Sequence, residues 1–331
     1  MPVEAPLAPS APSRPGRRIL ITVVLAVFVF AALGLLSDVR DLGSSLSVFD
    51  WRALGIALAL VLGNYVLRFM RWQYLLGRLD VQVPVGTSAL VFLAGFVMSV
   101  TPGKMGEVFK SLLLFEYRGV SVARTASIVV AERLLDLVAL VVLVSLGSTA
   151  FPHGRTVAVV GALVVLAIVL GCTVRALGER VLGVLARIRF TARAVPKLRE
   201  AYDALHGLTR PAPFFVGGFY ALVGWALECA ATWFLLSGFP GVDIGWEGAT
   251  FGYAVGTLAG ALAMLPGGLG VAEVGMAGSF RAAAPALTAA TAGAATILVR
   301  LSTLWFGVVL GALALFVLRL THRKQTLPAA A

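Results

Sequence analysis

Two cysteines and three histidines among 331 residues are too few for a disulfide framework or a histidine metal centre. Cys172 and Cys229 both lie in apolar runs without metal-like spacing and read as small buried thiols. His153, His206 and His322 fall in separate loops, so no metal site and no cofactor are expected. Charge is scarce too: Asp, Glu, Lys and Arg make up 13% of the chain, and 16 acids face 27 Lys and Arg, a net charge of +11. The basic residues punctuate apolar runs rather than lining one face. That pattern excludes a nucleic-acid groove and reports membrane topology and anionic headgroups instead. No nucleotide-binding loop occurs, which disfavours direct coupling to ATP.

What is abundant is apolar surface. With 59% hydrophobic residues and a mean hydropathy of +0.94, the chain reads as an all-α polytopic membrane protein. Residues 1–16, rich in Pro, Ala and Ser, read as a disordered cytoplasmic tail. Arg17 and Arg18 then precede an apolar run over 19–36, long enough to cross. A signal peptide is the alternative, but the run exceeds a usual h-region and no cleavage site is clear before the loop expected at 38–50.

The chain is organised around residues 264–273, M-L-P-G-G-L-G-V-A-E. Proline lacks the amide donor and glycine weakens a helix, so a helix breaks here. Freed backbone groups each cost several kcal/mol in hydrocarbon, so such a break is either a corner at the membrane surface or is buried against a polar cavity. A second copy favours the cavity: Pro102-Gly103-x-x-Gly106-Glu107 echoes Pro266-Gly267-x-x-Gly270, with Glu273 close behind. Each copy precedes a long apolar helix carrying an arginine, Arg133 or Arg300. Paired interruptions in two halves point to a transporter's binding site.

The remaining segments fit this frame. A second span from 51 to about 76 carries Asn64, Arg68 and Arg71 on one face. Arg71 is expected to snorkel to the interface beside Trp72 and Tyr74, whereas Arg68 suits either the interface or an interior. A span over 122–149 holds Glu132, Arg133 and Asp136, close enough in helical spacing to form one patch. The patch either locks helices together or meets substrate. A plain apolar span follows over 156–174, then a basic amphipathic connector over 175–210, divided at Pro196. The connector reads as a solvated cytoplasmic linker with possible contact to anionic lipid. Glu228 is an isolated acid deep in a fifth span over 213–236.

Lys and Arg in short loops alternate correctly only for six full transmembrane helices plus two re-entrant helical hairpins, 86–117 and 246–283, in an inverted repeat. The expected organisation is a transmembrane domain over 17–319, with a first half 17–174, the connector 175–210 and a second half 211–319. A cytoplasmic tail over 320–331 follows, both termini being cytoplasmic at the cell membrane.

These residues suit an anion such as phosphate. The amides of Gly267, Gly268 and Gly270 open a half-helix at its positive end. Lys104, Arg133, Arg300 and Arg68 supply charge for a headgroup, while Glu107, Glu132, Asp136, Glu273 and Asn64 position those cations or exchange protons.

The blocks R-F-M-R-W-Q-Y-L-L (68–76), T-P-G-K-M-G-E (101–107), E-R-L-L-D-L (132–137) and L-P-G-G-L-G-V-A-E (265–273) resemble the lysylphosphatidylglycerol synthase transmembrane family. The resemblance spans nearly the whole chain beyond the tail. It implies a flippase-like module that moves an anionic phospholipid or a polyprenol-phosphate-linked lipid between leaflets through a central cationic cavity. The sequence read to Ala331 holds no soluble aminoacyl-transferase domain, so lysyl transfer is not expected of it. Membrane lipids are the expected partners, with a homo-oligomer or a separate lipid-modifying enzyme left open. Three other readings remain: a small-anion transporter or channel, a structural component of a cell-envelope assembly, and an intramembrane enzyme using Glu132 or Asp136. The last lacks a placed nucleophile, and no enzymatic activity is expected.

Overall fold

The computed structural model describes residues 39–100, 107–187 and 195–326. The expected first span, the Pro102–Gly106 break with Lys104, and the extreme termini lie outside the described residues. Among those described, the fold is all-helical. A short helix α1 (Val39–Ser47) leads into α2 (Trp51–Arg78), and α3 (Val85–Ala94) runs into a 3-10 turn at Gly95–Met98. Next come α4 (Phe109–Arg118), α5 (Val122–Gly147), α6 (Gly154–Thr173), α7 (Arg175–Arg187) and α8 (Val195–Leu208). The second half holds α9 (Pro211–Ser237), α10 (Trp246–Leu262), a 3-10 turn at Pro266–Gly268, α11 (Val271–Ala283), α12 (Ala289–Arg300), a π-helical turn at Leu301–Trp305, and α13 (Phe306–Thr326).

Trp51–Arg78, Gly154–Thr173, Pro211–Ser237 and Ala289–Thr321 are long and apolar enough to cross a membrane. The 26-residue α5 matches them in length but carries charge at its centre. Large apolar side chains face outward along these helices, including Leu62 and Val66 on α2, Leu163 and Leu166 on α6, Phe215 and Phe219 on α9, and Leu313 and Phe316 on α13. So much exposed apolar area is stable only against lipid, and the protein is membrane-embedded.

Two local expectations change. Residues 39–47, expected as loop, form α1, because Leu46 on its inner face packs against the core and Ser45 meets Thr291 of α12 at 3.3 Å. Pro196, expected to divide the connector, sits instead in the first turn of α8, where its missing amide costs nothing. Leu205 and Leu208 of α8 are buried against the body of the protein, so this helix is docked rather than lying free on a surface.

α2 and α9 run antiparallel through the centre: the Asp50 amide donates to the Gly238 carbonyl at 2.9 Å, and Asn64 lies beside Glu228 near both midpoints. Around this pair the halves pack reciprocally. α5, which follows the α3/α4 pair, lies along α10, and α13, which follows the α10/α11 pair, lies along α3.

The α10/α11 pair is antiparallel and tight because Gly248, Gly252, Gly256 and Gly260 put a glycine stripe on one face of α10. A Cβ on Gly256 would stand 2.8 Å from the Ala272 carbonyl oxygen and 2.7 Å from Met276 Cγ, so the two backbones would have to part. Gly256→Ala is expected to destabilise by about 1–3 kcal/mol. Gly55→Ala, in open space on α2, should be neutral or stabilise by up to about 1 kcal/mol. Apparent melting temperatures in detergent check the contrast.

Candidate functional site: a buried charge network beside an amphipathic cleft

Arg133 sits 11 residues from the start of α5, about 16 Å along its axis. A charge that deep needs partners, since an unpaired one costs on the order of 2.5–3.5 kcal/mol even on insertion scales. The structure supplies them. Arg133 Nη2 lies 2.9 Å from Glu107 and 2.9 Å from Asp136, and Arg68 lies 3.8 Å from Glu107 and over the Phe96 ring. In the second half, Arg300 Nε lies 2.6 Å from Glu273. Each Pro-Gly motif of the sequence is thus followed by a glutamate that pairs with the arginine of the next long helix.

Arg71 departs from expectation. It is fully buried rather than interfacial, with Nη1 2.8 Å from Asp136 and Nε 3.9 Å from Glu132, because α5 delivers both acids to the same face of α2. Trp72 is likewise fully buried, with its indole donating to Ser88. Lys110 of α4, not among the residues expected at the site, joins the network: its ammonium lies 2.7 Å from Glu132 and 4.6 Å from the Trp72 ring centroid. A lysine inside a short apolar helix was the available signal. Trp225 Nε1 completes this knot by donating to Asp136 at 3.1 Å.

At the second break Gly267, Gly268 and Gly270 all have positive φ, and Met264 adopts φ 53°, which costs a non-glycine residue about 1–2 kcal/mol. The loop uses its own polar groups. The Gly268 amide donates to Leu265, the Leu269 amide to Pro266, and the Gly270 amide to Glu273 Oε2 at 2.6 Å, while Arg300 Nη2 holds the Gly267 carbonyl at 2.5 Å. The amides of Gly268 and Gly270, expected to meet an anion, are engaged within the loop, the first by the Leu265 carbonyl and the second by the Glu273 carboxylate. Arg300, itself buried, lines the cavities beside the turn. The π-helical turn immediately after it shifts the helix register, and the Thr303 carbonyl accepts the Tyr65 hydroxyl at 2.7 Å.

Two cavities meet at Arg300. One is a polar chamber of about 60 Å³ lined by Tyr65, Arg68, Glu107, Glu228, Tyr253 and Arg300, among others. The other is a cleft of about 470 Å³ whose lining mixes charged and apolar side chains: Arg133, Asp136 and Arg300 together with Leu137, Leu140, Ile168, Leu262 and Leu265. Met264, the strained residue, stands exposed on its rim. Of the five cations, Arg68, Arg71, Lys110, Arg133 and Arg300, the Arg133 side chain is the most open at 23% exposure. Among the described residues no group of His, Cys, Asp and Glu is arranged to hold a metal ion.

Mid-helix charges locked in pairs, a broken helix and a cleft lined by both charged and apolar side chains define a membrane-embedded helical protein with an amphipathic internal site. The family described as lysylphosphatidylglycerol synthase TM region matches residues 21–311, and the chain belongs to it. This family ties the protein to membrane lipids. A comparison with curated proteins returned no match.

Proposed function

We propose that this protein is a lipid transporter, without enzymatic activity of its own, which moves an anionic phospholipid or a polyprenol-phosphate-linked lipid between leaflets. The observation that carries this reading is the lining of the 470 Å³ cleft, which holds Arg133 and Arg300 together with leucines and Ile168. A phosphate would bind the open guanidinium of Arg133, displacing Glu107 or Asp136, while the acyl or prenyl chain lies against Leu137, Leu140 and Ile168. The reciprocal packing of α5 on α10 and of α13 on α3 supports an inverted repeat, with α3/α4 and α10/α11 as re-entrant hairpins. The six spans would be 19–36, α2, α5, α6, α9 and the run α12–α13. In this arrangement both termini face the cytoplasm at the cell membrane. The polar chamber favours a second reading, passage of a small hydrophilic anion, for which the apolar lining has no use.

The test is reconstitution into liposomes carrying labelled anionic and polyprenyl lipids, with soluble glycerophosphate as a small-anion probe. Wild type should move at least one labelled lipid, and Arg133→Ala should slow it about 10- to 100-fold through loss of a charged hydrogen bond worth about 1.5–3 kcal/mol. Glycerophosphate flux without lipid movement would replace the lipid reading with the anion reading.

A further inference from the structure

Several helical threonines of this protein turn their hydroxyls back on their own backbone. Thr232 of α9, Thr296 of α12 and Thr303 of the π-helical turn each donate to the carbonyl four residues earlier, at 2.9, 2.8 and 2.7 Å. Thr257, 11 residues into α10, does not: its hydroxyl oxygen is buried and has no hydrogen-bond partner among the described residues. Thr250, two turns earlier, makes no such backbone bond either, but it is fully buried beside the Cys229 thiol and lines neither cavity. Thr257 lines both the polar chamber and the cleft, as do Trp225, Arg300 and Leu304. Trp225 commits its indole N–H to Asp136, and Leu304 has nothing polar to offer. The shared wall therefore presents two groups to a ligand, the Thr257 hydroxyl and the Arg300 guanidinium. Arg300 Nε meets Glu273 and Nη2 meets the Gly267 carbonyl, which leaves Nη1 outside both contacts.

We propose that Thr257 positions the headgroup: its hydroxyl donates to a phosphate oxygen of the ligand, alongside Arg300, where the cleft and the chamber share a wall. The proposal rests on the lipid-transport reading and places the phosphate at one point within that cleft. The chemistry recognised is that of a phosphate ester, carried by a lipid headgroup or by a small soluble ester.

A buried hydroxyl without a partner destabilises a folded protein, and a valine of the same shape would not. A ligand that accepts from Thr257 removes that penalty, so the hydroxyl favours the loaded site over the empty one. A further cation at this wall would need its own carboxylate in a low-dielectric interior, as Arg300 needs Glu273. A hydroxyl adds a donor without adding a charge. Its support is fixed, because Gly256 and Gly260, on either side of Thr257 in sequence, hold α10 closely against α11 and the broken turn. The hydroxyl itself is free to adjust, since a helical threonine divides between two χ1 wells. One rotation about that bond brings the oxygen to the ligand without any movement of α10.

The experiment uses the full chain in liposomes that carry a trace of fluorescent phosphatidylglycerol and, in a parallel set, entrapped labelled glycerophosphate. Dithionite quenching reads lipid movement, and efflux reads passage of the soluble ester. Thr257→Val keeps the shape of the side chain and removes the hydroxyl. It should slow lipid movement about tenfold, while the apparent melting temperature in detergent stays at the wild-type value or rises. Thr257→Ser, which keeps the hydroxyl, should restore most of the rate. An unchanged rate in Thr257→Val would overturn the proposal and leave lipid transport standing. An equal loss of rate in both variants would do the same, by assigning the effect to side-chain shape. So would a lower melting temperature in Thr257→Val, which would mean that the hydroxyl is bonded within the protein. If wild type passes glycerophosphate and no lipid, the lipid reading falls, and Thr257 keeps its role only if Thr257→Val slows that efflux about tenfold. If wild type moves neither, both readings fall.

Discussion

Asp136→Ala should destabilise the folded protein by about 3–5 kcal/mol, and adding Arg71→Met should recover a large part of that loss. Arg71 has no exposure at all, and its short contact is Asp136 at 2.8 Å; Glu132 lies farther off at 3.9 Å and is already engaged with Lys110 at 2.7 Å. Removing the aspartate therefore leaves a buried guanidinium without its main counter-charge, and it also takes the acceptor from the Trp225 indole. Methionine at position 71 fills a similar volume without charge. Arg133, the other cation on Asp136, keeps Glu107 at 2.9 Å in either variant. The measurement is apparent melting temperature at a fixed scan rate, with lipid movement assayed on the folded fraction. Recovery of stability with transport intact would make Arg71 and Asp136 a helix lock, whereas recovery of stability alone would give Asp136 a part in handling the headgroup at the cleft.

The parts of this site that were legible in the sequence are those where chemistry conflicts with its surroundings. A Pro-Gly break cannot be hidden in an apolar run, and neither can Arg133 or Arg300 in the middle of one. Glu107 and Glu273 follow Pro102 and Pro266 by five and seven residues, so the sequence named both acids as supports for the cations, and the structure pairs them with Arg133 and Arg300 at 2.9 and 2.6 Å. Partnership across distant segments was not legible. Arg71 is eight residues from the start of the loop after α2, and local position alone places it at the interface; only the arrival of α5, 65 residues on, brings it Asp136. Likewise the link between Asn64 and Glu228 spans 164 residues. The sequence also led to an open row of amides at the second break, because spacing does not reveal that Glu273 turns back onto Gly270. The glycine stripe at Gly248, Gly252, Gly256 and Gly260 was readable as a four-residue period of small residues, a pattern that a search for apolar and charged residues passes over.

Arg300→Lys should slow lipid movement about 10- to 100-fold, while Arg133→Lys should keep most of it. The two arginines use their forks differently. Arg133 meets both of its carboxylates through Nη2, at 2.9 Å each, so one ammonium placed there can serve both. Arg300 works with two separate nitrogens, Nε toward Glu273 at 2.6 Å and Nη2 toward the Gly267 carbonyl at 2.5 Å, while also facing the chamber and the cleft. A lysine there reaches one of these partners and takes from the other the contact that the guanidinium supplied. The turn at Gly267 and Gly268 would then lose the contact that ties it to α12, and the wall of the cleft that it forms would loosen. Initial rates of labelled-lipid movement per mole of folded protein read the difference. Equal losses in the two variants would mean that both arginines act as point charges and that the hold on the Gly267 carbonyl is irrelevant to movement. A selective loss at Arg300 would make the broken turn and its arginine one unit, with the backbone at the break held in place by the same side chain that faces the headgroup.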